Sequence, residues 1–178
     1  MIKQSDRLNS VEEYYFSKKL REVSNMIQSG ESVINMAIGS PDLFPSIRVI
    51  DEIKNSLSDS FAHKYQSYQG LPELRDAIAK FYNKFFGVEL NPLNEVLPLM
   101  GSKEGIMHIS LAFLNPGDEV LIPNPGYPTY LSVTKLVEAS PVFYNLSEEN
   151  SWFPNLSELE NKDLSKVKLM WINYPHMP

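Results

Sequence analysis

The 178-residue sequence contains no cysteine, and this absence removes several kinds of site at once. Disulfides, thiolate metal centres and cysteine nucleophiles are all excluded. The three histidines, His63, His108 and His176, are far apart in sequence. A zinc cluster is therefore not expected, each histidine is expected to be structural, and we predict no metal site.

Long apolar runs and an excess of positive charge are also lacking. No apolar run approaches the ~20 residues that a membrane-spanning helix needs, and the first ten residues, MIKQSDRLNS, lack the apolar stretch of a signal peptide. The net charge of −6 argues against non-specific nucleic-acid binding. We therefore expect a cytoplasmic protein without membrane or nucleic-acid partners. Its 43% hydrophobic content is enough for one sizeable core.

The pattern of apolar residues predicts alternating helices and strands. Strands that alternate with helices of ten or more residues indicate βαβ units and an α/β fold with a parallel sheet. Ligands of such sheets bind at the carboxyl ends of the strands. The predicted helices are 11–30, 46–58, 71–87, 102–114, 127–139 and 155–161; the predicted strands are 95–100, 119–123, 141–145 and 167–173; 33–39 is predicted to be extended and 63–70 to be a loop.

The loop after the first predicted strand combines glycine, serine and lysine. Gly101 lets a ligand approach the backbone closely. The first amides of the following helix are unpaired and favour an anion, while Ser102 adds a hydroxyl and Lys103 a positive charge. The loop therefore indicates a phosphate cup; the alternative is that Ser102 is a plain N-cap. It is not a P-loop, because GxxxxGK[ST] is absent.

The loops after two further predicted strands carry an aromatic ring and an amide. Tyr127 lies in NPGYPTY, 124–130, on a stiff turn that would present its flat face to a planar ligand; the alternative is a ring that packs on the rim. Asn173 begins NYPHMP, 173–178, where it would orient a polar group of a ligand; the alternative is an ordinary turn. Together with the glycine–serine–lysine loop, these loops are predicted to form one site.

Five stretches, taken in order, resemble the motifs of class I/II, fold-type I aminotransferases, which depend on pyridoxal 5′-phosphate. The most specific match is LNPGDEVLIPNPGYPTY, 114–130. Over nearly its whole length the chain looks like the N-terminal part of such an enzyme, and its motifs are similar to the diaminopimelate and broad amino-acid branch. The other stretches are NMAIGSPDLFP (35–45), YQSYQGLPELRDAI (65–78), GSKEGI (101–106) and NYPHMP (173–178).

The resemblance implies a set of cofactor contacts. Ser102 and Lys103, beside Gly101, would hold the phosphate of pyridoxal 5′-phosphate. Tyr127 would stack on the pyridine ring, and Asn173 is expected to contact the cofactor as well.

The resemblance also implies substrate and partner contacts. Gly39 would lie beside the substrate carboxylate, and Tyr15, with Tyr14, would lie near the dimer interface or the substrate mouth. Tyr65 would reach the cofactor phosphate of the other subunit, so a homodimer is the expected working state. The small-molecule partners would be an amino acid and a 2-oxo acid.

The fold that this resemblance implies is an α/β three-layer sandwich with a mostly parallel sheet, preceded by an N-terminal helical arm. Residues 1–45 would form the arm and a small-domain segment, and residues 46–178 the N-terminal part of the pyridoxal-phosphate-binding large domain. The chain would supply about four strands of a larger sheet, and a bare sheet edge favours association.

Two departures from the family pattern bear on activity. Met177 stands where the family has an asparagine that bonds the ring hydroxyl, and a thioether is only a weak acceptor. The sequence ends at Pro178, before the family's Schiff-base lysine, the aspartate at the pyridine nitrogen and the arginine for the substrate carboxylate. No catalytic residue is therefore assigned, and we predict that these 178 residues alone do not catalyse transamination.

Two other functions fit the same loops. A carbon–sulfur β-lyase of the same fold would have similar cofactor loops, and only substrate tests separate it from an aminotransferase. A non-catalytic module that binds pyridoxal phosphate or dimerises would use the loops without the chemistry.

Overall fold

The structure, a computed structural model, describes residues 2–36 and 39–176. The chain divides into two compact units. The first comprises Met1–Tyr15 and Met100–Pro178, and the second comprises Phe16–Leu99. The domain boundary that we place at residue 45 stays a prediction.

In the described part of the chain, six α-helices occupy the six predicted helical segments. The largest difference is at the N-terminus, where Asp6–Ser10 form a 3₁₀ turn and the first α-helix begins at Tyr15 rather than at residue 11. The helices are α1 Tyr15–Gln28, α2 Ile47–Ser56, α3 Pro72–Phe86, α4 Ser102–Phe113, α5 Pro128–Leu136 and α6 Leu156–Glu160.

Three parallel strands form the sheet of the first unit. They are β1 Glu119–Asn124, β2 Ser140–Asn145 and β3 Val167–Met170, in the spatial order β2–β1–β3. The central strand β1 is parallel to both neighbours, and its residues 120–123 are all buried. A run that is apolar on both faces is typical of a strand covered on both sides.

The residues of β1 alternate between two apolar clusters. Val120 and Ile122, which are 0% and 2% exposed, pack with residues of α4 and α5. Leu121 packs with Tyr144 and with Leu159 of α6. Because successive side chains of a strand point to opposite faces, helices cover both faces of the sheet. The predicted α/β three-layer arrangement with a parallel sheet is thereby confirmed.

The predicted strand 95–100 is wrong, since these residues form no strand in the described part of the chain. The segment has the apolar alternation of a strand, but Leu97 and Leu99 are 61% and 46% exposed. A strand is stabilised by a neighbouring backbone and by burial of one face, and Pro98 cannot donate to a ladder. The sheet therefore has three strands rather than about four.

The second unit is organised around α3. This helix begins at Pro72, where a missing N–H costs little. It ends at Phe86, and the next residue, Gly87, has a φ of 65°, the left-handed conformation expected after a helix. Its buried residues are Arg75 and Ala79. A guanidinium NH of Arg75 donates to the carbonyl oxygen of Leu93 at 3.3 Å, and Nε is buried without a partner among residues 2–36 and 39–176.

Across residues 2–36 and 39–176, no helix combines the length and apolar character that crossing a membrane requires. The same residues contain no cluster of three or more histidine, cysteine or acidic side chains that could hold a metal ion.

Candidate functional site

The N-terminus of α4 is open. Its N-cap is Gly101, with φ 104°, and no side chain of the described residues caps the helix. Ser102 is therefore the first helical residue and not the N-cap, so the plain N-cap interpretation of this serine is wrong. A Cβ placed on Gly101 would meet no atom within 4 Å. Since the first amides of a helix lack intrahelical acceptors and the dipole favours an anion, this corner can receive a phosphate.

Glu104 stabilises the start of α4 without occupying those amides. Its carboxylate accepts a hydrogen bond from the backbone N–H of Met100 at 2.5 Å and lies 3.8 Å from Nε2 of His108. A glutamate three residues beyond the N-cap is a known signal of a helix start. Glu104 is absent from the residues predicted above, although its spacing from Gly101 carries that signal.

The NPGYP loop leads from β1 into α5. A Cβ on Gly126 would clash with the carbonyl oxygen of Pro123, so the turn requires glycine at this position. Tyr127 is the N-cap residue of α5, and Pro128 occupies the first helical position. Tyr127 is half-buried, so part of its side chain stays accessible.

Lys103 links the glycine–serine–lysine loop to the NPGYP loop. Its Nζ lies 5.9 Å from the centroid of the Tyr127 ring and 4.8 Å from that of Tyr14. Both distances are within the ~6 Å over which an ammonium is attracted to an aromatic face. The open helix N-terminus, a cation and an aromatic ring therefore lie together, as the sequence predicts for Ser102, Lys103 and Tyr127.

His176 links the NPGYP loop to the NYPHMP loop. Its Nε2 lies 3.0 Å from the carbonyl oxygen of Pro125, and its Nδ1 lies 3.3 Å from that of Asn173. A neutral imidazole donates from one nitrogen only, so it bonds one of these carbonyls at a time. The contacts agree with the structural role predicted for His176, and they place Asn173 at the same edge of the sheet as Tyr127.

A buried tyrosine and a partly buried tryptophan lie behind Tyr127. Its ring contacts that of Tyr130 edge to face, with centroids 5.7 Å apart, and Tyr130 stacks on Trp171 at 5.0 Å. Burial raises the pKa of Tyr130, and the Tyr127 hydroxyl adds to the effect. Burial also raises the pKa of Tyr144 to about 12. No motif indicates the contact between Tyr130 and Trp171, because it joins residues that are distant in sequence.

The other predicted residues are Tyr15, Tyr65, Gly39 and Met177. Tyr15 borders a cleft of about 310 Å³ that Tyr14 and residues of α5 also line. Tyr65 and Gly39 belong to the second unit and are exposed, Tyr65 completely. The prediction on Met177 concerns a residue outside the described ones.

Residues 31–178 match the family model for aminotransferase class I and II. The chain belongs to this aminotransferase family. That membership confirms the resemblance of its five motifs.

Curated relatives of this aminotransferase chain include two named LL-diaminopimelate aminotransferases. The protein of Dehalococcoides mccartyi is 41% identical over 177 residues, which are 99% of this chain and 46% of that protein. The protein of Aquifex aeolicus is 40% identical over 178 residues, which are 100% of this chain and 46% of that protein. The chain thus spans about half the length of the curated relatives that it matches.

Solved structures agree with this membership. A structure of apo-BacF from Bacillus subtilis superposes with a TM-score of 0.92 at 34% identity, covering 100% of this chain and 46% of that one. An alanine aminotransferase from Pyrococcus furiosus superposes with a TM-score of 0.87 at 30% identity, covering 97% and 45%. The fold is therefore that of part of an aminotransferase.

Proposed function

We propose that this chain is the N-terminal part of an enzyme that transfers an amino group between an amino acid and a 2-oxo acid with pyridoxal 5′-phosphate. Family membership supports the reaction class. The observation that carries the proposal is the position of Lys103 Nζ, 5.9 Å from the Tyr127 ring at the open start of α4. A cation, free helix amides and an aromatic face together suit a planar ring that carries a phosphate.

The residues of this chain would bind and orient that group. The amides of Ser102 and Lys103, the serine hydroxyl and the lysine ammonium would hold the phosphate, and Gly101 leaves room for it. Tyr127 would contact the ring, and Asn173 would supply a polar group at the same sheet edge. When bound, pyridoxal phosphate supplies the electron-withdrawing ring that stabilises a negative charge on the substrate carbon.

The substrate class follows from the relatives. Because relatives at 40% and 41% identity are named LL-diaminopimelate aminotransferases, LL-diaminopimelate is the first amino acid to test in the enzyme. Gly39 and Tyr15 are the residues of this chain that we propose to lie near the substrate. We place the enzyme in the cytoplasm, with residues 1–45 as arm and small-domain segment and the rest as large domain.

Binding of two small probes tests the cofactor proposal. Pyridoxine 5′-phosphate has the ring and the phosphate but no aldehyde, so it cannot react with lysines; inorganic phosphate has no ring. Lys103→Met should weaken binding of both probes about tenfold, because charge-assisted bonds are lost. Tyr127→Leu should weaken only pyridoxine 5′-phosphate, by about fivefold. Equilibrium dialysis measures both affinities.

Lys166→Met is the matched control. Lys166 is also an exposed lysine, but it precedes β3 and therefore lies at the opposite edge of the sheet from the strand carboxyl ends. This variant should bind both probes as the wild type does. Equal losses in Lys103→Met and Lys166→Met would show that binding reflects net charge alone, and the proposed site would then be rejected.

Two further measurements address catalysis and assembly. The purified 178-residue chain should show no exchange between amino acids and 2-oxo acids, and exchange free of contaminating enzyme would refute this expectation.

We also propose a homodimer in which Tyr65 reaches the site of the other subunit. Sedimentation equilibrium should show association, and a monomer at every concentration would exclude the dimer.

A further inference from the structure

We propose that Tyr130 and Trp171 are positioning residues that set the orientation of the Tyr127 ring and thereby the affinity for the ring of the ligand. This inference rests on the proposed function of Tyr127. It assigns a role in ligand affinity to two residues that need not touch the ligand, through a row of aromatic contacts from the third strand to the binding loop.

The row consists of two contacts with defined geometry. Tyr127 meets Tyr130 edge to face, with an interplanar angle of 83° and centroids 5.7 Å apart. Tyr130 meets Trp171 face to face, with an angle of 9° and centroids 5.0 Å apart. Both arrangements are favoured by the ring quadrupoles. Tyr130 is only 7% exposed, so its ring has little freedom to turn away from either neighbour.

The far end of the row is anchored to the sheet. The backbone N–H of Trp171 donates to the carbonyl oxygen of Leu121 in β1 at 2.9 Å. The carbonyl oxygen of Trp171 accepts from the hydroxyl of Tyr144 in β2 at 2.6 Å. Its indole Nε1 is buried without a partner in the described part of the chain. Backbone bonds and stacking, rather than an indole hydrogen bond, therefore hold this residue.

Fixing the Tyr127 ring in advance should favour binding. A free tyrosine side chain loses rotamer entropy when it stacks on a ligand, and a ring that is already held loses less. The phosphate contacts come from the start of α4, which is not part of the row. Loss of the row should therefore weaken binding of the ligand's ring and leave phosphate binding unchanged.

The test compares the affinities of the 178-residue chain for pyridoxine 5′-phosphate and for inorganic phosphate. The measured quantity is the affinity for pyridoxine 5′-phosphate divided by the affinity for inorganic phosphate. In Trp171→Leu and in Tyr130→Leu, this ratio should fall about threefold to tenfold, the range that one aromatic contact accounts for. The conservative variant Tyr130→Phe keeps the ring and should keep the ratio within about twofold of wild type. In a Tyr127→Leu background, Trp171→Leu should cause no further fall.

The possible outcomes are distinct. If circular dichroism shows that Tyr130→Leu does not fold, Trp171→Leu decides the matter alone, because it removes the stack at a partly buried position and leaves Tyr130 in place. An unchanged ratio in folded Trp171→Leu, or an equal loss for both probes, overturns the inference while the proposed function stands. A wild-type chain that binds neither probe overturns the proposed function, and this inference with it.

Discussion

The hydroxyl of Tyr144 on β2 donates a 2.6 Å hydrogen bond to the carbonyl oxygen of Trp171, the residue that follows β3. The two strands are not neighbours, because β1 lies between them. The bond therefore fastens the carboxyl ends of the two outer strands to each other across the central one. The loops with Tyr127 and Asn173 follow β1 and β3 at this same edge. A side chain of the outer strand β2 therefore helps to fix the edge where a ligand would bind.

Removing this hydroxyl should destabilise the first unit. In Tyr144→Phe the Trp171 carbonyl loses its donor at a site where Tyr144 is 3% exposed, so we expect the free energy of unfolding to fall by about 1 to 2 kcal/mol. Urea denaturation followed by circular dichroism measures the change.

Tyr174→Phe is the matched control. It removes a 2.7 Å bond to the Trp152 carbonyl, but Tyr174 is 43% exposed and water can replace the hydroxyl. Equal losses in the two variants would contradict the role of burial.

The same hydroxyl predicts a pH dependence. Burial, with smaller effects from Tyr174 and Tyr130, raises the pKa of Tyr144 from 10 to about 12. The folded state then holds the proton more tightly than the unfolded state. Its contribution to stability is complete below pH 10 and is lost as the pH rises from 10 to about 12. The urea midpoint should fall over this range, and it should fall less in Tyr144→Phe. Parallel curves for the two proteins would refute the assignment to Tyr144.

The sequence predicts the helices and the three strands of the sheet well because their signals are local. The apolar run of β1 and the left-handed Gly87 after α3 identify their elements without knowledge of the rest of the fold. Segment 95–100 fails for the opposite reason. Its alternation is that of a strand, but a strand also needs a neighbouring strand. The six residues themselves do not show whether such a neighbour is present.

The candidate site also has features that the sequence predicts and contacts that it does not. Ser102, Lys103 and Tyr127 are predictable because each stands at the end of a regular element, where composition is informative. The contacts of Tyr130 with Trp171, and of His176 with Pro125, join residues 41 and 51 positions apart. They follow from how the strands pair, so inspection of single motifs could not reveal them.

Replacing Arg75 by an apolar residue should cost little. Its side chain is 6% exposed, its Nε has no partner in the described part of the chain, and one NH reaches a carbonyl at 3.3 Å. A buried charge without a carboxylate is not compensated for its lost hydration. We expect Arg75→Met to leave the free energy of unfolding unchanged or to raise it, as measured by urea denaturation.

The control for Arg75→Met is Lys80→Met on the same helix. Lys80 is also cationic, but its side chain is 75% exposed and lies 2.6 Å from Asp76. The two variants change the net charge equally, so any difference between them reports burial rather than overall charge. A loss of more than about 2 kcal/mol in Arg75→Met alone would show that the buried guanidinium is stabilising, contrary to our expectation.

Gly126→Ala should damage both the fold and the site. The new Cβ would clash with the carbonyl oxygen of Pro123 and would lie 2.9 Å from its Cγ, so the end of β1 would have to move. Tyr127 follows directly and would move with it. We expect a loss of more than about 2 kcal/mol in the free energy of unfolding and weaker binding of pyridoxine 5′-phosphate.

Gly39→Ala is the control for stability, because a Cβ there meets no atom within 4 Å. If both variants unfold at the same urea concentration, the turn tolerates a side chain at residue 126. In that case, close packing of the glycine does not explain how the loop holds Tyr127.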